Sequence, residues 1–154
     1  MRYILLYALI GLTIVALAQE RKNGFYLTSD CGVNSDFKTT NPLRPNEQLC
    51  LVHNPFLGSE VVTRISEINI SENVRYFDLD ITSKASAQLN EINKDIKDAR
   101  IVFVISNEVM FVLHLSEMTR IKGLIRISSI SNTDEILQIQ EKIETYLASA
   151  KKSN

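Results

Sequence analysis

The chain has 154 residues, a net charge of −1 and two cysteines. Its length is sufficient for one domain with a buried core. Because the charge is near zero and no basic block is present, the sequence gives no electrostatic basis for binding nucleic acid or an anionic membrane surface.

The first eighteen residues have the pattern of a secretory signal peptide. They combine one basic residue, Arg2, with an apolar run that ends in Ala16-Leu17-Ala18. A small-x-small end is typical of signal-peptidase sites, so we expect cleavage after Ala18. The alternative is a membrane anchor, which normally needs about 20 apolar residues. The sequence therefore predicts a signal peptide over 1–18 and a single periplasmic or secreted domain over 19–154, attached to a membrane only if the signal is retained.

Two cysteines, Cys31 and Cys50, flank a turn-rich stretch at 30–48, which we interpret as a loop insert. Exported proteins form disulfides, so we expect these two residues to pair. The alternative is two unpaired thiols. With only His53 and His114 as histidines, the chain has too few ligands for a structural zinc site.

Strands are predicted where apolar and β-branched residues cluster between turn residues. They are 24–29, 49–53, 74–81, 100–106, 109–115 and 123–129. The alternating pattern of 74–81 indicates one buried face and one exposed face. A short polar break at Asn107-Glu108 predicts the turn of a hairpin.

Two amphipathic helices complete the pattern. Thr82 is placed to cap the first helix by accepting a backbone N–H, and Asn132 with Glu135 predicts the start of the second. The apolar stripes are Ala85, Leu89, Ile92 and Ile96, then Ile136, Ile139, Ile143 and Leu147. These elements predict a two-layer α+β domain with a mostly antiparallel sheet and both helices on one face.

The half from Val74 to Leu147 resembles the head subdomain of the first periplasmic domain of SecD, a membrane protein that assists translocation. The matching segments are Leu79-Asp80-Ile81-Thr82, the helix from Ser83, Ile101 to Ile105, Ser106-Asn107-Glu108-Val109, Ile121-Lys122-Gly123 through Ile127-Ser128, and Thr133-Asp134-Glu135. Asn107 replaces the family's hairpin glycine, and Leu113 stands near the place of its strand proline. SecD's membrane helices have no counterpart in the sequence. The resemblance implies a module that contacts polypeptide or moves as a gate.

Candidate catalytic residues are few. Asp78 and Asp80 share a strand face, with their carboxylates within about 7 Å, and such a pair is capable of acid–base hydrolysis of a glycoside. His114 near Ser116 and Glu117 is an alternative nucleophile–base set. A solvated strand face and a satisfied histidine explain these residues more simply. We therefore predict no catalytic residue, no cofactor and no metal.

The strands 101–106 and 109–115 are apolar on both faces. Strict alternation places Val109, Phe111, Leu113 and Leu115 on one face and Met110 and Val112 on the other. The helices cover only one face, so the other needs the 30–48 insert, a second copy in a homodimer, or a partner protein. Exposed apolar patches mark interaction sites, which makes Met110, Val112 and His114 the candidate partner-binding residues.

The sequence as a whole favours an exported, non-enzymatic protein-binding module that acts on exported polypeptides or on a secretion component. One alternative is a secreted inhibitor or immunity-type protein that binds one specific partner. A small hydrolase that uses Asp78 and Asp80 is the more distant alternative.

Overall fold

The computed structural model describes residues 21–28, 31, 37–42, 44–96, 99–115, 120–129 and 133–152. The predicted signal peptide and the predicted Asn132 cap lie outside these residues. The described part is an α+β fold, as predicted. Its strands are β1 Gly24–Leu27, β2 Phe37–Asn41, β3 Arg44–Leu51, β4 Leu57–Gly58, β5 Val62–Ile65, β6 Asn69–Ser71, β7 Val74–Ile81, β8 Arg100–Ile105, β9 Glu108–His114 and β10 Leu124–Ser129.

The helices are α1, Ser83–Asp95, and α2, Thr133–Lys152, and a short 3-10 helix covers Ser59–Val61. Thr82 caps α1 as predicted, since its Oγ1 accepts a hydrogen bond from the Ala85 N–H at 3.2 Å. The predicted stripe of α1 ends early: Ile96 lies past the last turn in extended conformation and is 44% exposed.

Strand pairing divides the predicted sheet. One four-stranded sheet has the order β4-β1-β8-β9. A second has the order β10-β7-β5, with β6 also paired to β7, and the third is the hairpin β2-β3. Every pairing is antiparallel. Local pattern identifies strands, but their partners depend on contacts distant in sequence, so the division was not predictable from periodicity alone.

A central core joins both four-stranded sheets to both helices. Its middle is a cluster of three phenylalanines, Phe25, Phe103 and Phe111. The ring centroid of Phe103 lies 4.4 Å from that of Phe25 and 5.2 Å from that of Phe111. From α1 come Ala85 and Leu89, and from α2 come Ile136, Ile139 and Ile143.

A second cluster lies on the opposite face of β8, and we call it the hairpin-side cluster. It consists of Tyr26, Leu49, Leu51, Val102 and Val104. The 30–48 region was predicted to be a loop, and this is wrong in part: β2 and most of β3 fall within it. The polar and proline-rich composition hid a hairpin that is stabilised by packing on β1 and β8. From the sequence, this face of β8 and β9 was expected to be covered by the 30–48 insert, a second copy or a partner protein. In the structure, the β2-β3 hairpin formed largely by the insert packs on it.

The predicted disulfide is present. Cys31 and Cys50 are bonded, and Cys50 on β3 is 1% exposed. The bond joins Cys50 on β3 to Cys31, which follows β1 in the sequence. It therefore holds the hairpin against the first sheet.

The turn of the β8-β9 hairpin lies one residue earlier than predicted. Ser106 and Asn107 occupy it with φ of 50° and 67°. Two consecutive residues with positive φ are typical of the tight turn that matches the twist of a hairpin, and asparagine tolerates this conformation. Ile105 and Glu108 are thus paired across the turn.

A β-bulge in this hairpin changes the faces of two residues. Phe103 pairs with Phe111, but Val104 pairs with Val109, so Met110 is the extra residue. As a result Met110 packs in the central core and Val109 in the hairpin-side cluster. The strict alternation predicted for 109–115 is therefore wrong for these two residues, because a bulge inserts a residue and shifts the pattern.

Candidate binding cleft

A cleft of about 610 Å³ opens between the exposed flank of α2 and the turn end of the β8-β9 hairpin. Its floor is apolar and its rim carries hydroxyl, amide and charged groups. The lining residues are Ile105, Ser106, Glu108, Met110, Gln138, Glu141, Lys142, Thr145, Tyr146 and Ser149. An apolar floor with a few polar groups around it is typical of ligand-binding clefts, and the volume lies in their usual range.

The walls of the cleft are held by polar contacts. Lys142 on α2 forms an ion pair with Glu108 on β9. The hydroxyl of Tyr146 hydrogen-bonds the Ser59 hydroxyl at 2.7 Å. The first contact connects α2 to β9, and the second connects α2 to the short 3-10 helix at Ser59–Val61.

The hairpin turn beside the cleft is fixed by the segment before β1. The backbone N–H of Arg21 donates to Asn107 Oδ1 at 2.9 Å. The backbone N–H of Ser106 donates to Asn23 Oδ1 at 2.7 Å. This side of the cleft is therefore held by hydrogen bonds to a distant part of the chain.

The three predicted partner-binding residues have different surroundings. Met110 lines the cleft but is only 2% exposed, so it forms part of the floor. Val112 is half-buried against the hairpin-side cluster. His114 is half-buried and pairs with Arg100 across the strands. They do not form one apolar side-chain patch, although all three lie on β9.

A polar cluster near His114 connects the β2-β3 hairpin to β8. Glu47 Oε2 accepts from Asn41 Nδ2 at 2.7 Å, and Glu47 Oε1 accepts from Arg100 Nη1 at 2.9 Å. Burial alone would raise the pKa of Glu47. The hydrogen bonds from Asn41 and Arg100, with the charges of His114 and Arg100, outweigh it and lower the pKa below its ordinary value.

We expect Glu47→Gln to destabilise the protein by about 1 kcal/mol at pH 7, because a charged hydrogen bond becomes a neutral one. A lowered folded-state pKa means that ionised Glu47 stabilises the fold above the unfolded pKa, and that this stabilisation is lost as the pH falls through the folded pKa. Urea midpoints of wild type and variant should thus differ at pH 7, and the difference should shrink as the pH falls below the ordinary glutamate pKa of about 4.3 toward the lowered folded-state pKa. The exposed Glu67→Gln is the control, and a gap that does not change with pH would contradict the prediction.

The two candidate catalytic carboxylates are each paired with an arginine. Asp78 binds Arg126 through two hydrogen bonds, of 2.8 and 3.0 Å, and Asp80 lies 3.5 Å from Arg64. The hydrogen bond to Asp78 also raises the pKa of Arg126, and the Arg126 guanidinium lies 4.0 Å from the ring centroid of Tyr76. The arrangement is thus two separate cross-strand ion pairs on one face of the second sheet.

In the described residues, no group of three or more histidine, cysteine or acidic side chains is arranged to hold a metal ion. Within those same ranges, no helix is both long and apolar enough to cross a membrane.

The α2 side of the cleft was not predicted from the sequence. Gln138, Lys142, Thr145 and Ser149 recur at helical spacing along one flank of α2. In a sequence, this stripe is indistinguishable from an ordinary solvated helix face, since only the fold shows that a hairpin turn lies opposite.

No protein-family model matches the chain, and neither the curated proteins nor the solved structures give a significant match.

Proposed function

We propose that this protein is an exported, non-enzymatic module that binds other proteins in the periplasm or outside the cell. The observation that carries the proposal is the cleft between α2 and the β8-β9 hairpin, with its apolar floor and polar rim. Apolar grooves and exposed sheet edges are both recurring sites of polypeptide recognition.

Two further observations support this proposal. The Cys31–Cys50 disulfide is compatible with an oxidising compartment outside the cytoplasm. The resemblance of residues 74–147 to the SecD periplasmic head supports polypeptide as the class of ligand. Clients would then be exported polypeptides or a component of a secretion machine.

The pairing of Asp78 and Asp80 with arginines supports the non-enzymatic proposal. In a glycosidase pair, one carboxyl group must hold a proton that it delivers to the leaving group. Both oxygens of Asp78 instead accept hydrogen bonds from Arg126, so this carboxyl group is held in a cross-strand ion pair and is not presented to a substrate. A hydrolytic activity that disappears in Asp78→Asn would overturn the non-enzymatic assignment.

The proposal is tested by quantitative capture from an extracytoplasmic extract. Residues 19–154 are attached to the support through Ile70→Cys, since Ile70 is 67% exposed and lies outside the cleft. Thr145→Trp places an indole in the cleft, and Ala148→Trp is the matched control on an exposed part of α2 that does not line it. We expect Thr145→Trp to lower the captured amount of partner about tenfold, because the indole ring occupies the cleft in which the partner binds. Ala148→Trp should leave the captured amount unchanged.

Equal capture by all three proteins, or no capture, would contradict the proposed function. Many clients in small amounts would favour the module for exported chains. One partner in a stoichiometric amount would favour the inhibitor or immunity-type alternative.

A further inference from the structure

We propose that an extended segment of a partner polypeptide binds as an added strand on the outer edge of β9, and that one of its side chains enters the cleft above Met110. This inference rests on the proposed function and specifies its ligand class. The proposed site is formed by main-chain N–H and C=O groups of β9, so no side-chain motif in the sequence indicates it.

The position of β9 in its sheet is the first observation. β9 is the last strand in the order β4-β1-β8-β9, and within the described ranges its ladder is with β8 alone. The other edge of this sheet is β4, which has only two residues. The longer unpaired edge among the described strands of this sheet is therefore β9, which lies beside the cleft; β2 lies close to β9 without pairing with it.

The phase of the ladder shows which main-chain groups face outward. The Leu115 N–H donates to the Ala99 carbonyl at 3.0 Å, one step beyond the Arg100–His114 pair. Bonded and non-bonded pairs alternate in an antiparallel ladder, so His114 and Val112 form non-bonded pairs with β8. The Thr28 N–H donates to the Arg100 carbonyl at 3.0 Å, which confirms that the main chain of Arg100 faces β1.

The N–H and C=O groups of Val112 and His114 consequently point away from β8. Alternating donors and acceptors along an open strand match the main chain of another extended polypeptide. Other ligand classes lack this regular alternation, so the chemistry of the edge favours a peptide segment.

The bulge places the cleft in register with this edge. Residues opposite each other on neighbouring strands share one face of the sheet. Met110 faces the cleft side, so an added strand that continues past Val112 toward the hairpin turn directs a side chain over Met110 and Ile105. Because both are apolar, an apolar side chain fits best, and the hydroxyl of Thr145 lies at the rim.

The length of the edge favours a peptide over a second copy of the chain. Only Val112 and His114 present outward groups in the regular part of β9 past the bulge, so edge-to-edge pairing of two copies would bury little surface. A stable dimer normally buries more than about 1,000 Å². A peptide compensates for the short edge by filling the cleft as well.

The test removes one outward N–H. Val112→Pro deletes that donor but no bond to β8, and proline is tolerated on edge strands. Val112→Thr changes the side chain and keeps the N–H. Ser128→Pro places a proline at the equivalent outward position of β10, because the Ile81 N–H to Gly123 carbonyl bond sets the same phase there. The probe is a fluorescent polypeptide, reduced and carboxymethylated so that it stays unfolded, and its binding is measured by anisotropy.

We expect Val112→Pro to weaken binding of the probe about tenfold and the two controls to change it less than about threefold. Amide hydrogen exchange on wild type is the second measurement, and it does not depend on the stability of any variant. The probe should slow exchange at Val112 and His114.

Three results would overturn the inference: equal binding by Val112→Pro, no binding of the probe to wild type, or protection of Val112 that depends on protein concentration without the probe. The last would indicate a second copy on β9. If partners are still captured from the extract and the Thr145→Trp effect persists, the proposed function stands while the added strand is excluded. Failure of the capture experiment contradicts the proposed function itself.

Discussion

Phe103→Ala is expected to lower the free energy of unfolding by about 3–5 kcal/mol. Phe103 is fully buried, and its ring contacts those of Phe25 and Phe111 in the middle of the central core. Removing it takes away apolar burial and ring–ring contacts and leaves a cavity between the rings of Phe25 and Phe111, which these rings cannot fill without leaving their own contacts. Urea denaturation followed by circular dichroism measures the change.

Two controls make this prediction specific. Phe103→Leu leaves a smaller cavity, so its cost should lie well below that of alanine. Leu124→Ala removes an apolar side chain that is 41% exposed, and the expected change is within about 1 kcal/mol. If alanine at position 103 costs no more than alanine at position 124, the central position of the phenylalanine cluster is contradicted.

The second large effect concerns the disulfide. The double variant Cys31→Ala/Cys50→Ala should lose about 3 kcal/mol of stability, because the unfolded chain regains the freedom of a loop closed across 19 positions. Among the described residues, Leu49 and Leu51 are the hairpin side chains that belong to the hairpin-side cluster. We therefore expect the hairpin to detach before the central core unfolds, with the hairpin-side face of β8 becoming exposed.

Binding of the dye ANS separates this local opening from global unfolding. The double variant should bind ANS in urea concentrations at which its far-UV circular dichroism is still native. The same variant with Leu49→Ala added should bind ANS even without urea. An unchanged urea midpoint and no ANS binding would show that the disulfide adds nothing to the packing of β2-β3.

Much of the fold follows from local pattern. The strand at Val74–Ile81 and the cap at Thr82 were predictable because alternation and capping are encoded within a few residues. The end of β3 lies in the predicted strand 49–53, but β2 and the first part of β3 were missed because their residues are mostly polar and have little β propensity. The bulge at Met110 was missed because one extra residue in a ladder leaves no mark on an apolar run.

The candidate site divides in the same way. Met110, Val112 and His114 were selected for an apolar side-chain face that does not exist as predicted. Their strand is nevertheless an edge strand of the first sheet. Periodicity reports which side chains are buried, but the phase of main-chain groups and the approach of α2 depend on strand order, which only the folded structure supplies.

The anchoring of Arg21 to Asn107 has a consequence for the reach of the chain. Asn107 is at the turn between Ser106 and Glu108, which line the cleft. Three residue steps separate Ala18 from Arg21, and an extended chain covers at most about 10 Å over that distance. If the leader is retained, its last residue lies no more than about 10 Å from Arg21, so the hairpin turn beside the cleft is held close to the leader's end. If it is removed after Ala18, the new positive amino terminus lies within that distance of Arg21.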